Sequence, residues 1–419
     1  MLKIRRRWLK RVDNNLYHYQ EMAHHKITTL GLHLEGVGER TGSNRMIHIS
    51  RSMVGQAELE AMARVVREDG YLGIGREVRA FEEELQEYLG GRDRKVVCLN
   101  SGTAALHLAV QAVTQPGDEV LVQSLTFIAS FQAISAAGAV PVACEVYPET
   151  VTLDLKDAGQ RITPRTKAVM PVHYASNPGD LEAIYEFAQR HDLRVIEDAA
   201  HAFGCTYQGR KIGSFGDLVC FSFDGLKNIT CGEGGAVVTS DPKVIQSVQD
   251  ARLLGVHRDT EKRYQGARSW EFDVQQQGYR YHLSNLFAAV GRVQLQRFEG
   301  EFKPRRIELA QKYRSALTGA PDLKFFQGDP GPIVPHIFPI RVVNGKRDGL
   351  RQFLQDRGIE SGIHYKPNHL LSFYGGAKGL LPVTERLYEE LLTLPLHPGL
   401  RDEDVDHTIA AVMEFLSHA

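Results

Sequence analysis

The residues of this chain best suited to chemistry begin in one stretch, Asp217 to Thr239, which reads D-L-V-C-F-S-F-D-G-L-K-N-I-T-C-G-E-G-G-A-V-V-T. An apolar run, Leu218 to Phe223, delivers Lys227 into a short polar loop. Gly232, Gly234 and Gly235 follow, and then a second apolar, β-branched run from Ala236 to Thr239. An ammonium group strongly prefers water, so a lysine set between two strand-like runs costs stability unless its amine has a chemical role. Such surroundings depress its pKa and make it a nucleophile that forms Schiff bases. A solvated lysine in a hairpin loop is the competing reading of the same residues.

Three further loops carry groups that would complement such an amine. Ser101-Gly102-Thr103 follows a strand-like run and opens a helical one, so backbone N–H groups there can hold a phosphate; helix capping by Ser101 accounts for the pattern equally well. Phe127 sits just past the next strand, where a ring can stack on a planar cofactor or simply enter the core. Asp198 ends an apolar strand, and a carboxylate there needs a cationic partner such as a pyridinium nitrogen. His201 can donate to a phenolic oxygen or serve as a structural histidine. Taken with Lys227, these groups supply what pyridoxal phosphate requires: a phosphate cradle, a ring stack, an acid at the pyridine nitrogen and an aldehyde-trapping amine.

The elements that must position these groups alternate regularly. Val96 to Leu99, Glu119 to Gln123, Val140 to Val146, Ala168 to Val172 and Leu193 to Glu197 read as strands. Between them, Ala104 to Val113, Phe127 to Ala137 and Leu181 to Arg190 read as helices. Alternation of this kind predicts βαβ units and a mostly parallel sheet, whose ligands bind beyond the carboxyl ends of the strands. That rule selects Asn100 to Thr103, Ser124 to Phe127 and Glu197 to His201. Upstream, helices are expected from Glu58 to Glu68, stopped by Gly70, and from Val78 to Leu89. Gly73 and Gly75 form a lone G-x-G that follows no strand and is no dinucleotide fingerprint. Downstream, a helix near Val244 to Leu254 is followed by an Arg-rich segment. A long helical pattern then begins at about Asn285 and runs to Leu317, with a break expected near Gly300 and Pro304. Beyond it, Ile333 to Val343, Leu350 to Arg357 and Val405 to Phe415 suggest a smaller α/β unit.

Composition sets the outer bounds. The 419 residues suffice for two domains, and 42% hydrophobic and 24% charged residues are ordinary for a globular protein. A net charge of −1 gives no field that calls for nucleic acid or an anionic membrane. The five cysteines have no metal-type spacing, and no metal site is expected; free thiols in a reducing, cytoplasmic compartment are the expectation. No run approaches the length of a membrane span, and no secretory signal is expected. Residues 1–45 stand apart. Their first twelve residues hold six basic groups and no acidic one, which suits a basic arm, an organellar segment or a poorly ordered extension. Met46 opens what reads as the folded body.

Five motifs in order, N-S-G-T-A-A-L-H-L-A, T-F-I-A-S, V-I-E-D-A-A-H-A-F-G, F-S-F-D-G-L-K-N-I-T-C-G-E-G-G-A-V-V-T and G-Y-R-Y-H-L-S-N-L-F-A-A-V-G, closely resemble the DegT/DnrJ/StrS family of pyridoxal-phosphate-dependent sugar aminotransferases. The resemblance covers residues 46 to about 418. It implies the α/β fold-type-I architecture: a large domain (46–300) with a mostly parallel seven-stranded sheet between helices, and a small C-terminal domain (301–419). It implies that Lys227 carries the cofactor's Schiff base, that Asp198 pairs with the pyridine nitrogen, and that His201 lies near the phenolic oxygen and Phe127 against the ring. Gly102, Thr103 and Ser222 match the phosphate-holding positions. Homodimers with shared active sites are the family pattern. Two departures stand out. Arg280 and His282 occupy places where the family commonly has asparagine and arginine, the asparagine reaching the partner's phosphate; Arg280 can hold phosphate as a bidentate donor. Asp224-Gly225 also replaces the family's usual approach to the lysine.

These roles imply a ping-pong amino transfer from L-glutamate to a nucleotide-linked keto sugar, with a 4-keto-6-deoxyhexose as the expected acceptor. A 3-keto sugar or an inosose is the alternative acceptor, and a catalytically silent, cofactor-binding regulator is the non-enzymatic alternative. A dehydrating branch of the family carries histidine in place of the lysine, so Lys227 points away from it. Tyr71, His364 and Lys366 are candidate substrate contacts, the last two within G-I-H-Y-K-P-N-H-L-L-S-F-Y.

Overall fold

Strand-like runs that alternate with amphipathic segments have one stable arrangement, a sheet covered by helices on both faces. The computed structural model describes residues 45–91, 93–267, 270–327 and 333–418; the basic N-terminal segment and the readings attached to it, up to residue 44, lie outside the described residues. Strands β1 (Lys95–Leu99), β2 (Glu119–Gln123), β3 (Val140–Cys144), β4 (Thr166–Met170) and β5 (Arg194–Asp198) follow the expected runs closely. A two-residue hairpin, β6 (Thr206–Tyr207) and β7 (Arg210–Lys211), leads to β8 (Leu218–Ser222) and β9 (Gly235–Thr239). Seven of these form one sheet in the order β1-β9-β8-β5-β4-β2-β3. β9 is antiparallel to both neighbours and every other neighbouring pair is parallel. The reason lies in the connection: no helix intervenes between β8 and β9 to carry the chain back, so the segment 223–234 turns directly into an antiparallel partner. That segment holds Lys227.

Alternate residues of the strands feed two cores. Val96 and Cys98 join Phe81 and Phe223 on one face, while Val97 and Leu99 join Leu106 and Leu108 on the other. Register then sets the site. Leu99 and Ser222 both pair with Gly235, and Asp198 pairs with Cys220, so β1, β8 and β5 end at one edge of the sheet.

The chain beyond residue 300 builds a three-stranded antiparallel sheet, β10 (Leu323–Phe325), β11 (Phe338–Val342) and β12 (Leu391–Leu394), around a core that includes Leu309, Tyr313, Ile340, Leu354 and Val412. Helices Lys303–Leu317, Arg347–Asp356 and Asp402–His418 supply much of that core. Here the sequence reading needs correction. The break expected near Gly300 and Pro304 is a π-helical turn, Phe298–Phe302, that joins the helix Asn285–Arg297 to Lys303–Leu317. Pro304 falls in the first turn of the second helix, where its missing N–H removes no hydrogen bond. The run Ile333 to Val343 is strand only from Phe338, because the carbonyls of Pro335 and His336 turn to the guanidinium of Arg306. The helix Pro382–Glu390 and β12, which follows it at once, have too little pattern to be anticipated. Among the described residues no helix is long and apolar enough to cross a membrane.

One buried ion pair ties the outer helix Arg76–Leu89 to this frame. Arg252 is wholly buried and donates to Glu82 Oε1 at 2.7 Å, to the carbonyl of Cys98 at 2.7 Å and to the Tyr264 hydroxyl at 2.6 Å. Glu82 also accepts the Cys98 N–H at 2.7 Å. Arg252→Met would leave that carboxylate uncompensated and is expected to cost about 3–5 kcal/mol, read as a lowered midpoint in denaturant unfolding.

Candidate active site

The carboxyl edge of the large sheet opens into a cavity of about 320 Å3, and the strand-end loops line it. Its floor depends on glycine. A Cβ on Gly102 would stand 2.6 Å from Ser222 Cβ, and one on Gly235 would collide with the carbonyl of Ser101. Only without those atoms can the helix Gly102–Val113 begin directly above β8 and β9. Ser101 does cap it, accepting the Ala104 N–H at 3.1 Å. The two readings of this loop are therefore compatible: the cap uses one N–H, while Gly102 and Thr103, at the helix start where N–H groups lack intrahelical acceptors, line the cavity.

Asp198 is 5% exposed and accepts from Ser130 Oγ at 2.7 Å and from the Ala200 N–H at 3.2 Å. His201 meets the Tyr365 hydroxyl through Nε2 at 3.1 Å, while its buried Nδ1 has no protein partner. Burial first, then the nearby Lys227, His364 and His173, hold its pKa well below the usual imidazole range, so it is neutral. Phe127 is no core residue. It is 53% exposed and lines the cavity with its ring 5.5 Å from that of Tyr365.

Lys227 enters from the β8–β9 connection. Its N–H bonds back to the carbonyl of Asp224 at 3.1 Å, and the neighbouring Asn228 is anchored to the carbonyls of Phe203 and Val334. The amine lies 3.4 Å from His336 Nε2. Burial pushes its pKa down to about 8; Asp198 and Asp224 pull it up, and the Arg306 charge adds to the depression. A solvated hairpin lysine would not show this.

Within one chain, then, Gly102, Thr103, Phe127, Asp198, His201, Ser222, Lys227 and His364 meet at the cavity. Tyr71, Arg280 and Lys366 do not line it. Tyr71 packs over Gly73 and Gly75, Arg280 is exposed on the segment bridged to Leu253, and Lys366 is exposed beyond Tyr365. Sequence reasoning passed over Ser130, Tyr365 and His336. The first two lie inside quoted motifs, T-F-I-A-S and G-I-H-Y-K, and were open to notice; His336, a lone histidine in V-P-H-I-F, carried no signal.

A family model described as the DegT/DnrJ/EryC1/StrS aminotransferase family matches residues 53–413. The chain belongs to this family. The spore coat polysaccharide biosynthesis protein SpsC of Bacillus subtilis is 35% identical over 387 residues, which cover 90% of this chain and 98% of SpsC. The crystal structure of the aminotransferase TlmJ from Streptoalloteichus hindustanus matches with a TM-score of 0.81 and 35% identity, over 89% of this chain and 99% of that one. Spr1654 of Streptococcus pneumoniae, described as a sugar aminotransferase, was solved in a PLP-form that matches with a TM-score of 0.81 at 30% identity, over 89% of this chain and 99% of that one.

The depressed pKa gives a direct expectation. The neutral, reactive fraction of the Lys227 amine rises as pH passes through about 8, against 10.5 for an ordinary lysine. Competitive acylation of the cofactor-free protein from pH 6.5 to 10.5, read by mass spectrometry of the Lys227 peptide, should give a midpoint near 8.

Proposed function

We propose that this sugar aminotransferase moves the amino group of L-glutamate to the keto carbon of a nucleotide-linked sugar, a 4-keto-6-deoxyhexose. One observation carries the reading: a desolvated lysine amine, a buried carboxylate and a helix N-terminus line a single cavity. Its cofactor is pyridoxal 5'-phosphate, and the residues present fit that group. Gly102 brings the helix start so close to Ser222 that a Cβ there would collide with it, and His201 Nδ1 is a buried polar atom that still lacks a protein partner. Gly102, Thr103 and Ser222 would hold the phosphate, Asp198 the pyridine nitrogen, His201 the phenolic oxygen and Phe127 the ring face. When bound, the cofactor supplies an aldehyde that condenses with amines and a ring that withdraws electrons.

The chain's own groups do the rest. Lys227 would hold the cofactor and move the proton at the substrate carbon; an amine with a pKa of about 8 has a far larger neutral fraction near neutral pH than an ordinary lysine and is suited to that task. Asp198, fixed by Ser130 and the Ala200 N–H, would face the ring nitrogen. Neutral His201 and Tyr365 share a hydrogen bond without adding a cation beside the lysine. Tyr71, His364 and Lys366 remain the candidate substrate contacts, His364 from within the cavity wall.

The assembly is a homodimer whose partner chain completes each cavity. Arg280 lies outside its own chain's cavity, and the segment leading to it exposes Trp270 (86%), Phe272 (61%) and Val274 (50%), an apolar surface suited to a second copy. Five free, buried cysteines suit a reducing cytoplasm.

The protein should be yellow, bleach with L-glutamate and recover its colour with a keto sugar; a silent regulator would not cycle. Lys227→Ala should lower turnover by roughly a thousandfold or more and abolish borohydride fixation of the cofactor; fixation at another lysine would overturn the assignment. Turnover across a panel of nucleotide-linked 3-keto and 4-keto sugars and an inosose, with the aminated carbon read by NMR, tests the acceptor.

A further inference from the structure

We infer that His336 is a positioning residue for the reacting amine: its neutral imidazole accepts a hydrogen bond from Lys227 Nζ and aims the amine whenever the lysine is not bonded to the cofactor. The inference rests on Lys227 being the reacting amine and names a partner for it. Among the described residues His336 Nε2, at 3.4 Å, is the side-chain hydrogen-bond partner of that nitrogen.

His336 is set with some force. Its N–H donates to Ser176 Oγ at 3.0 Å, and the same hydroxyl donates to the carbonyl of His201 at 2.5 Å. One buried serine therefore fixes the backbones of both histidines, and their rings lie 4.5 Å apart. From the other side the carbonyl of His336 accepts from Arg306 at 3.2 Å; that guanidinium also reaches the carbonyls of Pro335 and Leu396. Arg306 is 2% exposed and has no carboxylate partner among the described residues, so its charge stays beside the pair.

The direction of the hydrogen bond follows from the charges that face it. Burial disfavours an imidazolium at His336 first, and the cations of Lys227 and Arg306 beside the ring add to that. Asp198 and Asp224 act on the amine, and Tyr365 lines the same cavity with its hydroxyl on His201. A neutral ring leaves Nε2 as an acceptor, and the amine has N–H groups to donate in either protonation state. The proton then sits on Nδ1, which is buried without a protein partner.

The experiment measures how fast the cofactor-free protein captures pyridoxal phosphate covalently, followed by absorbance at pH 8, together with the pH midpoint of Lys227 acylation. His336→Gln retains an acceptor and should stay within about threefold of wild type. His336→Met keeps bulk without a comparable acceptor; it should capture about tenfold more slowly, the equivalent of one hydrogen bond, and its acylation midpoint should fall. Ser176→Ala, which removes only the bridging hydroxyl, should slow capture in the same direction. Wild-type capture rates and midpoints in both His336→Met and Ser176→Ala would overturn the inference; if His336→Met does not fold, Ser176→Ala decides alone. Borohydride fixation at Lys227 in each variant keeps this outcome separate from failure of the underlying reading, in which fixation would move to another lysine in the wild type as well.

Discussion

An amine held away from water is the constraint around which the site is arranged. Burial drives the Lys227 amine toward its neutral form, and two carboxylates, Asp198 and Asp224, stop that drive at a pKa of about 8. Either influence alone would be unhelpful: full desolvation would give a weak base that cannot take up a proton, and a close carboxylate would give a permanently charged ammonium. The fold meets both demands by bringing the lysine in on a connection without a helix. Because β9 runs against its neighbours, the chain turns just beyond β8 and leaves Lys227 close to Asp198, the last residue of the adjacent strand.

Close backbone approach is the second requirement, and glycine meets it. Gly102 and Gly235 let the helix that starts at Gly102 rest directly on the ends of β8 and β9. A Cβ at Gly102 would collide with Ser222. That close packing leaves Ser101 as an ordinary helix cap beside Gly102 and Thr103, which line the cavity.

The segment around Tyr365 is held by a polar relay that superficially resembles a hydrolase triad. His369 lies 2.7 Å from Ser124 Oγ and 3.1 Å from Glu385. Ser124 is wholly buried, however, and its hydroxyl accepts the His369 N–H at 3.0 Å, so it is not presented to a substrate. With Asn368, which donates to the carbonyls of Ser124 and Thr126, the relay clamps the chain after Tyr365 onto the loop that carries Phe127. Two walls of the cavity are thereby fixed to one another by hydrogen bonds as well as by the Phe127–Tyr365 ring contact.

Much of the large sheet was legible because its strands are buried on both faces and read as short apolar runs between helices of regular period. Lys227, Asp198 and the Ser101–Thr103 loop were legible for a related reason: each interrupts an apolar pattern at a strand end, where a charged or small residue is conspicuous. The π-helical join at Phe298–Phe302 and the short β12 were not, since a π turn preserves the helical pattern and a four-residue strand has almost none. The sequence by itself determined which groups could perform the chemistry and on which strand ends they stand. Only the tertiary structure decided that His336 and Tyr365 meet those groups and that Arg280, Tyr71 and Lys366 fall outside the cavity of their own chain. The physical reason is distance along the chain. His336 lies 109 positions from Lys227, and Tyr365 lies 164 from His201. No local period records such a pairing; it follows from how the two sheets are laid together.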